Sequence, residues 1–159
     1  VEPNAIRPAE AGDLTALDAA LKNLSQDLGD PHRAGTDSLR KAVFGPAPSA
    51  WAQVMGGPQG LRGLALFSPV FSTARGGAGA YVSDLWVARS ERGSGLGTAL
   101  LQSAADRAAT LWGAGYLRLA VHDHNSRARL FYQSLGFEPA EGETIMVLAG
   151  QSFRKIRRR

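Results

Sequence analysis

"VARSERGSGLGTALL", residues Val87 to Leu101, decides how the rest of the chain is read. Three glycines stand at alternate positions, Gly93, Gly95 and Gly97, and an amphipathic helical pattern follows at once. Glycine costs backbone entropy inside regular structure, so three at a helix start imply that something approaches the backbone closely. Strand, glycine-rich turn, helix is a phosphate-binding order. The first helical turn has unpaired N–H groups and a positive dipole end, where an anion sits readily. Arg92 adds a positive charge beside it. A P-loop is excluded, because "GLGTAL" lacks the Gly-Lys-Ser/Thr that would hold the phosphates. A dinucleotide-binding turn is excluded too. These glycines follow a later strand, and "YLRLAVH", residues 116–122, offers no acid where the ribose partner would fall.

Outward from this stretch, patterns of three and four alternate with patterns of two. "NAIRPAE" reads as a short first strand. "DLTALDAALKNLSQDL" has leucines at 14, 17, 21, 24 and 28, a helical spacing. "GDPHRAG" breaks it, and "TDSLRKAVF" is a second helix with Thr36 as its cap. "WAQVM" and "LRGLALFSPVF" read as strands, "STARGGAG" as a turn and "AYVSDLWV" as the next strand. The helix after the glycines runs to about Trp112. "YLRLAV" is then a strand, "NSRARLFYQSL" a helix stopped at Gly136, "TIMVLA" a final strand, and "QSFRKI" a last helical turn or two. The layout is α/β with a mixed sheet.

Composition bounds the function classes. The chain has 159 residues, 44% hydrophobic, the size and core content of one domain. We expect a single domain over residues 1–159 with a short basic tail, 154–159. Without cysteine, disulfides and thiolate metal sites are excluded. No apolar run reaches membrane-span length, and "VEPNAIRPAE" lacks the basic and apolar regions of a secretory signal. A cytoplasmic protein is expected. The net charge of +4 is a property of the tail, since "RKIRRR" holds five of the 18 basic residues. Residues 1–40 carry seven acids and four bases, a local −3. Nucleic acid is not an expected partner, because no aromatics are interleaved with the basic residues.

Two segments carry a family resemblance. "RGSGLG", Arg92 to Gly97, resembles the Arg/Gln-x-x-Gly-x-Gly/Ala signature of the GCN5-related N-acetyltransferases (GNAT). "NSRARLFYQSLGF", Asn125 to Phe137, resembles that family's Asn-x-x-Ala-x-x-Phe-Tyr-x-x-x-Gly-Phe segment. "YVSDLWV", "RLAVHDHN", "DSLRKAVFG" and "GQSFRKI" look like its diamine (spermidine/spermine) and thialysine N-acetyltransferase branch. The resemblance implies a central mixed, mostly antiparallel sheet with splayed middle strands and flanking helices. It implies acetyl-CoA as co-substrate, with no metal, and a small cationic amine as acceptor: a diamine, a polyamine or a lysine-like amino acid. It also implies a homodimer. A protein N-terminal or lysine acetyltransferase and a non-catalytic acyl-CoA-binding module are the alternatives.

By the same resemblance, acetyl-CoA lies along Leu85, Trp86 and Val87, around Arg92, Gly93, Ser94, Gly95, Leu96, Gly97 and Thr98, and against Asn125, Arg127 and Tyr132. Tyr132 is the expected general acid toward the departing sulfur, and the backbone N–H near Leu85 the expected donor to the carbonyl oxygen. The branch has Glu-Asp in its central strand, with the glutamate as a water-mediated base. This chain reads Ser83-Asp84, so Asp84 and, in the "HDHN" run, His122, Asp123 and His124 are the base candidates. Alternation puts Ser83 and Asp84 on opposite strand faces unless a bulge intervenes. Asp27, Asp30, Ser83 and Asp84 are the expected acceptor-binding residues, with His32 on the same connection as Asp30. Three histidines, two of them at i and i+2, lack the ligand set for a metal.

Overall fold

The computed structural model describes residues 4–157. Two compact units, up to Ala120 and from Val121 onward, are taken in turn. The first runs β1 (Ile6–Pro8), a 3-10 turn (Ala11–Asp13), α1 (Leu14–Leu28), α2 (Thr36–Phe44), β2 (Trp51–Gly57), β3 (Gly60–Ser72), β4 (Gly77–Val87), a second 3-10 turn (Arg89–Glu91), α3 (Leu96–Trp112) and β5 (Leu117–Arg118). The sheet order is β1-β2-β3-β4-β5. The first three pairings are antiparallel and β4 with β5 is parallel. Helix α3 is the crossover that a parallel pair requires. This is the mixed, mostly antiparallel α/β sheet expected. The cap of α2 differs from expectation. Gly35 is the N-cap and Thr36 the first helical residue, with the Gly35 carbonyl oxygen accepting from Ser38 Oγ at 2.8 Å and from the Leu39 N–H at 3.1 Å.

Each face of the sheet buries one helical layer. The leucine stripe of α1, with Leu39 of α2, covers Ala52, Val54, Leu64 and Trp86 in one continuous core. On the other face, Leu96, Leu100, Ala104 and Ala108 of α3 lie over the side of Ala65 and Phe67. A Cβ on Gly63 of that face would collide with Leu100, at 2.8 Å. Leu17, Leu64, Phe67 and Leu100 have no exposed surface, and each such burial stabilises by about 1.5–3 kcal/mol.

β5 is shorter than the expected 116–121. It pairs with β4 only at Ala80↔Leu117 and Tyr81↔Arg118. Beyond Tyr81, among the described residues, β4 is paired on its β3 side alone. The second unit contains α4 (Ser126–Ser134) and α5 (Gly150–Arg157). The strand expected over 144–149 is not formed. Ile145, Met146, Val147 and Leu148 are all exposed there. A continuous apolar run becomes a strand only where a second edge accepts its N–H and C=O groups, and within the described residues none does. Among the described residues no helix is long and apolar enough to cross a membrane.

Candidate active site

The site begins with an irregularity in β4. Leu66 pairs with Asp84 but Phe67 pairs with Val82, so Ser83 is an extra residue, a β-bulge. The bulge suspends the alternation that would separate Ser83 from Asp84. The Ser83 hydroxyl donates to the Leu66 carbonyl oxygen at 3.3 Å and stands beside the Asp84 carboxylate. Asp84 shares the α1 face with its pair-mate Leu66. Burial pushes its carboxyl above the ordinary carboxylate range. The Ser83 hydrogen bond and the charge of nearby His32 pull it down, and Asp30 pushes it up again. The connection between α1 and α2 therefore brings Asp30 and His32 into the electrostatic surroundings of Asp84.

His32 is held from α1. Its Nδ1 is 3.1 Å from Ser25 Oγ and its Nε2 is 3.5 Å from Asp18 Oδ1. The other Asp18 oxygen takes Lys22 Nζ at 2.7 Å. Asp18 and Ser25 were not among the expected site residues. A signal for them existed: Asp18 stands four residues from Leu14 and three from Leu21, inside the apolar stripe, where a carboxylate needs a reason. Asp27 is engaged elsewhere. Its carboxylate takes Arg92 Nη2 at 2.7 Å and Arg89 Nη2 at 3.5 Å, while Arg92 Nε donates to the Val87 carbonyl oxygen at 3.1 Å.

The glycine loop suits an anion with several oxygens. Gly93 and Gly95 have φ of 81° and 86°, a region that side chains other than glycine rarely enter. A Cβ at either would meet nothing within 4 Å, so the space beside the loop is open. Gly95 is the N-cap of α3 and supplies no side-chain cap. The amides of Leu96, Gly97 and Thr98 have no intrahelical acceptor, whereas Ala99 N–H donates to the Gly95 carbonyl oxygen at 3.0 Å. Seventeen residues of aligned peptide dipoles stand behind these amides. Leu85, Trp86 and Val87 lie on β4 beyond its pairing with β5. Ser94 is exposed, its hydroxyl bonded to the Glu91 carbonyl oxygen.

In the second unit, Asn125 caps α4, its Oδ1 accepting from the Ala128 N–H at 3.1 Å. Arg127 is exposed on the same helix. The Tyr132 ring lies between Phe131 and Phe137, with centroids 5.2 and 5.5 Å away, and burial raises its phenol above the ordinary tyrosine value. His122 and His124 stack on each other at 5.4 Å. Among the described residues no group of three or more His, Cys, Asp or Glu side chains is arranged to hold a metal ion.

Residues 21–137 match the model of the acetyltransferase (GNAT) family. Thialysine N-epsilon-acetyltransferase of Bos taurus is 30% identical over 164 residues, with 95% of each chain covered, and the Sus scrofa enzyme is 29% identical over the same coverage. Among solved structures, an integron cassette protein from the mobile metagenome of V. cholerae superposes with a TM-score of 0.75 at 21% identity, covering 98% of both chains. Ribosomal-protein-alanine N-acetyltransferase from Brucella melitensis biovar Abortus superposes with a TM-score of 0.72 at 19% identity, covering 91% of this chain and 99% of the other. These two likenesses concern the fold.

Proposed function

The chain belongs to the GNAT acetyltransferase family, and from that premise we propose that this acetyl-CoA-dependent N-acetyltransferase acts on the primary amine of a small cationic acceptor, a lysine-like amino acid or a diamine. The observation that carries the reading is the Asp84 carboxylate, half-buried at a bulge with Asp30 and His32 in its electrostatic surroundings and, among the described residues, no arginine paired with it. The curated relatives named for thialysine support the lysine-like side of it. In this reading residues 1–159 form one acetyltransferase domain with a basic tail. The chain works as a homodimer, and the exposed apolar run Ile145 to Leu148 supports a second copy as its cover.

An amine of pKa near 10 arrives as ammonium and cannot attack until it loses a proton. Asp84 takes that proton on a carboxylate oxygen, its affinity for it raised by burial. Asp30 adds charge that draws the cation in. Acetyl-CoA, when bound, supplies the activated acetyl thioester. The amides of Leu96, Gly97 and Thr98 and the open backbone at Gly93 and Gly95 hold its pyrophosphate. The backbone N–H near Leu85 donates to the thioester carbonyl oxygen. The Tyr132 phenol, carried over from the family segment, returns a proton to the sulfur. Arg92 serves the pyrophosphate and Asp27 serves Arg92, so Asp27 leaves the acceptor wall to Asp30, Ser83 and Asp84.

CoA release from acetyl-CoA, measured across lysine-like amino acids, diamines, neutral monoamines and peptides, tests the acceptor. Turnover confined to the small cationic amines is expected, and turnover with peptides alone overturns it. Calorimetry tests the loop. A valine at Gly95 meets a forbidden φ and puts side-chain bulk beside the open backbone, so Gly95→Val should abolish acetyl-CoA binding. Unchanged binding would remove the loop from the site.

A further inference from the structure

Glu91 stands two residues before Gly93, on the second 3-10 turn, which leads into the glycine loop. A carboxylate at the root of a seat for a multiply charged anion works against that anion unless it is neutralised. The neutralising charge comes from β3. Arg62 Nε donates to Glu91 Oε1 at 2.8 Å, and Nη2 stands 2.8 Å from the same oxygen. The remaining nitrogen, Nη1, donates to Asn4 Oδ1, so all three guanidinium nitrogens are engaged. The Glu91 side chain is 20% exposed and that of Arg62 39%, which spares the pair part of the screening that weakens ion pairs at the surface.

Arg62 holds the same turn through its backbone. The β3–β4 ladder ends at Gly63↔Val87, and one step beyond it the Ala88 N–H donates to the Arg62 carbonyl oxygen at 2.8 Å. The Ala88 carbonyl oxygen accepts from the Glu91 N–H at 2.8 Å, and the Glu91 carbonyl oxygen accepts from the Ser94 N–H at 3.3 Å and from the Ser94 hydroxyl. Ser94 lies between the two loop glycines of positive φ. A series of bonds thus runs from β3 through Glu91 to the loop. One anchor leaves a turn free to pivot, and a second fixes its direction. We propose that Arg62 and Glu91 are positioning residues for acetyl-CoA: their ion pair braces the glycine loop so that the amides of Leu96, Gly97 and Thr98 face the pyrophosphate. The proposal rests on the loop as the pyrophosphate site. Both residues act through the loop backbone and touch no reacting atom.

One substitution sets the brace against plain electrostatics. Glu91→Ala removes a negative charge near an anion, which by charge alone tightens acetyl-CoA, whereas loss of the brace loosens it. Calorimetry with acetyl-CoA on Glu91→Ala, Arg62→Met and the double variant reads the sign. Kd should rise about tenfold in each single variant, short of the roughly hundredfold that a 1 Å misplacement can cost. It should rise no further in the double variant, because partners lose a shared contribution once. With the small amine of highest turnover as acceptor, KM for acetyl-CoA should rise by the same factor and kcat should hold. Acetyl-pantetheine, a thioester without the pyrophosphate, should turn over as it does in the parent. Binding in Glu91→Ala as tight as in the parent, or tighter, overturns the brace. Losses that add in the double variant overturn it too, as does an equal loss with acetyl-pantetheine, the mark of a merely structural pair. Unchanged acetyl-CoA binding in Gly95→Val overturns the reading of the loop, a separate failure.

Discussion

Asp13, buried on the turn before α1, and Asp84, half-buried on β4, are carboxylates treated in opposite ways. Asp13, 1% exposed, is gripped by both arms of Arg7, Nη1 at 2.7 Å and Nη2 at 2.9 Å, and accepts the Glu10 N–H at 2.9 Å. Arg7 also reaches the Gly56 carbonyl oxygen at 3.0 Å, tying β1 and the turn before α1 to the β2–β3 hairpin. The guanidinium fork holds the Asp13 carboxyl below its ordinary range. Asp84 has a serine hydroxyl, a histidine and an opposing aspartate, and stands above that range. Where a buried charge organises the fold, its countercharge sits at hydrogen-bond distance. Where no countercharge stands at hydrogen-bond distance, compensation is incomplete and proton affinity rises.

The largest effect is expected where compensation is least. Asp84→Asn should lower kcat/KM for a cationic amine by about 10²- to 10⁴-fold, the range for losing a positioned general base. Its Tm should not fall. A carboxyl raised in the folded state makes stability decline as pH climbs from the unfolded value through the folded one, and the amide removes that decline. A kinetic assay and a melting curve on the same preparation check both. Lost stability with intact turnover would merge the two carboxylates into one class.

Asp13→Asn should invert that outcome. Breaking the fork costs about 3 kcal/mol of stability, read by urea unfolding, with kcat per folded molecule near that of the parent. The depressed Asp13 carboxyl contributes stability that is complete above the unfolded value, about 3.9, and is lost as pH falls through the lower folded value. The parent should therefore lose stability in that acid window and Asp13→Asn should not. Equal acid sensitivity in the two would break the contrast.

Tyr132 extends the contrast to a phenol, since burial raises it as it raises Asp84. Tyr132→Phe should lower kcat by roughly ten- to a thousand-fold with little change in acetyl-CoA affinity, as for a general acid. Equal turnover from pH 6 to 9 would return the ring to packing against Phe131 and Phe137. The smallest effect belongs to Asp27, whose partners are largely solvent-exposed. Asp27→Asn frees Arg92 for phosphate, and because exposed pairs are worth at most about 1 kcal/mol, acetyl-CoA should bind about two- to fivefold tighter with acceptor KM unchanged. A rise in acceptor KM would put Asp27 back on the amine-binding wall.

The elements that position the site were legible wherever short-range rules govern. The leucines of α1 and the glycines before α3 each depend on neighbours within a turn or two. Hydrogen-bond periodicity and allowed backbone angles determine such features from local sequence. The family segments added acetyl-CoA and the acetyl-transfer reaction, which no periodicity encodes. The bulge at Ser83 depends on β4's register against β3. The Asp27–Arg92 pair spans 65 residues and the Arg7 bond to Gly56 spans 49. The approach of Asp30 and His32 to Asp84 depends on how the connection between α1 and α2 lies on the sheet. The expected strand over 144–149 is absent because strand formation needs a partner edge that a sequence pattern does not supply. Sequence alone determined the local elements and the reaction. Tertiary structure decided which charges are neutralised at close range and which are not, because electrostatic environment depends on distances between residues far apart in the chain.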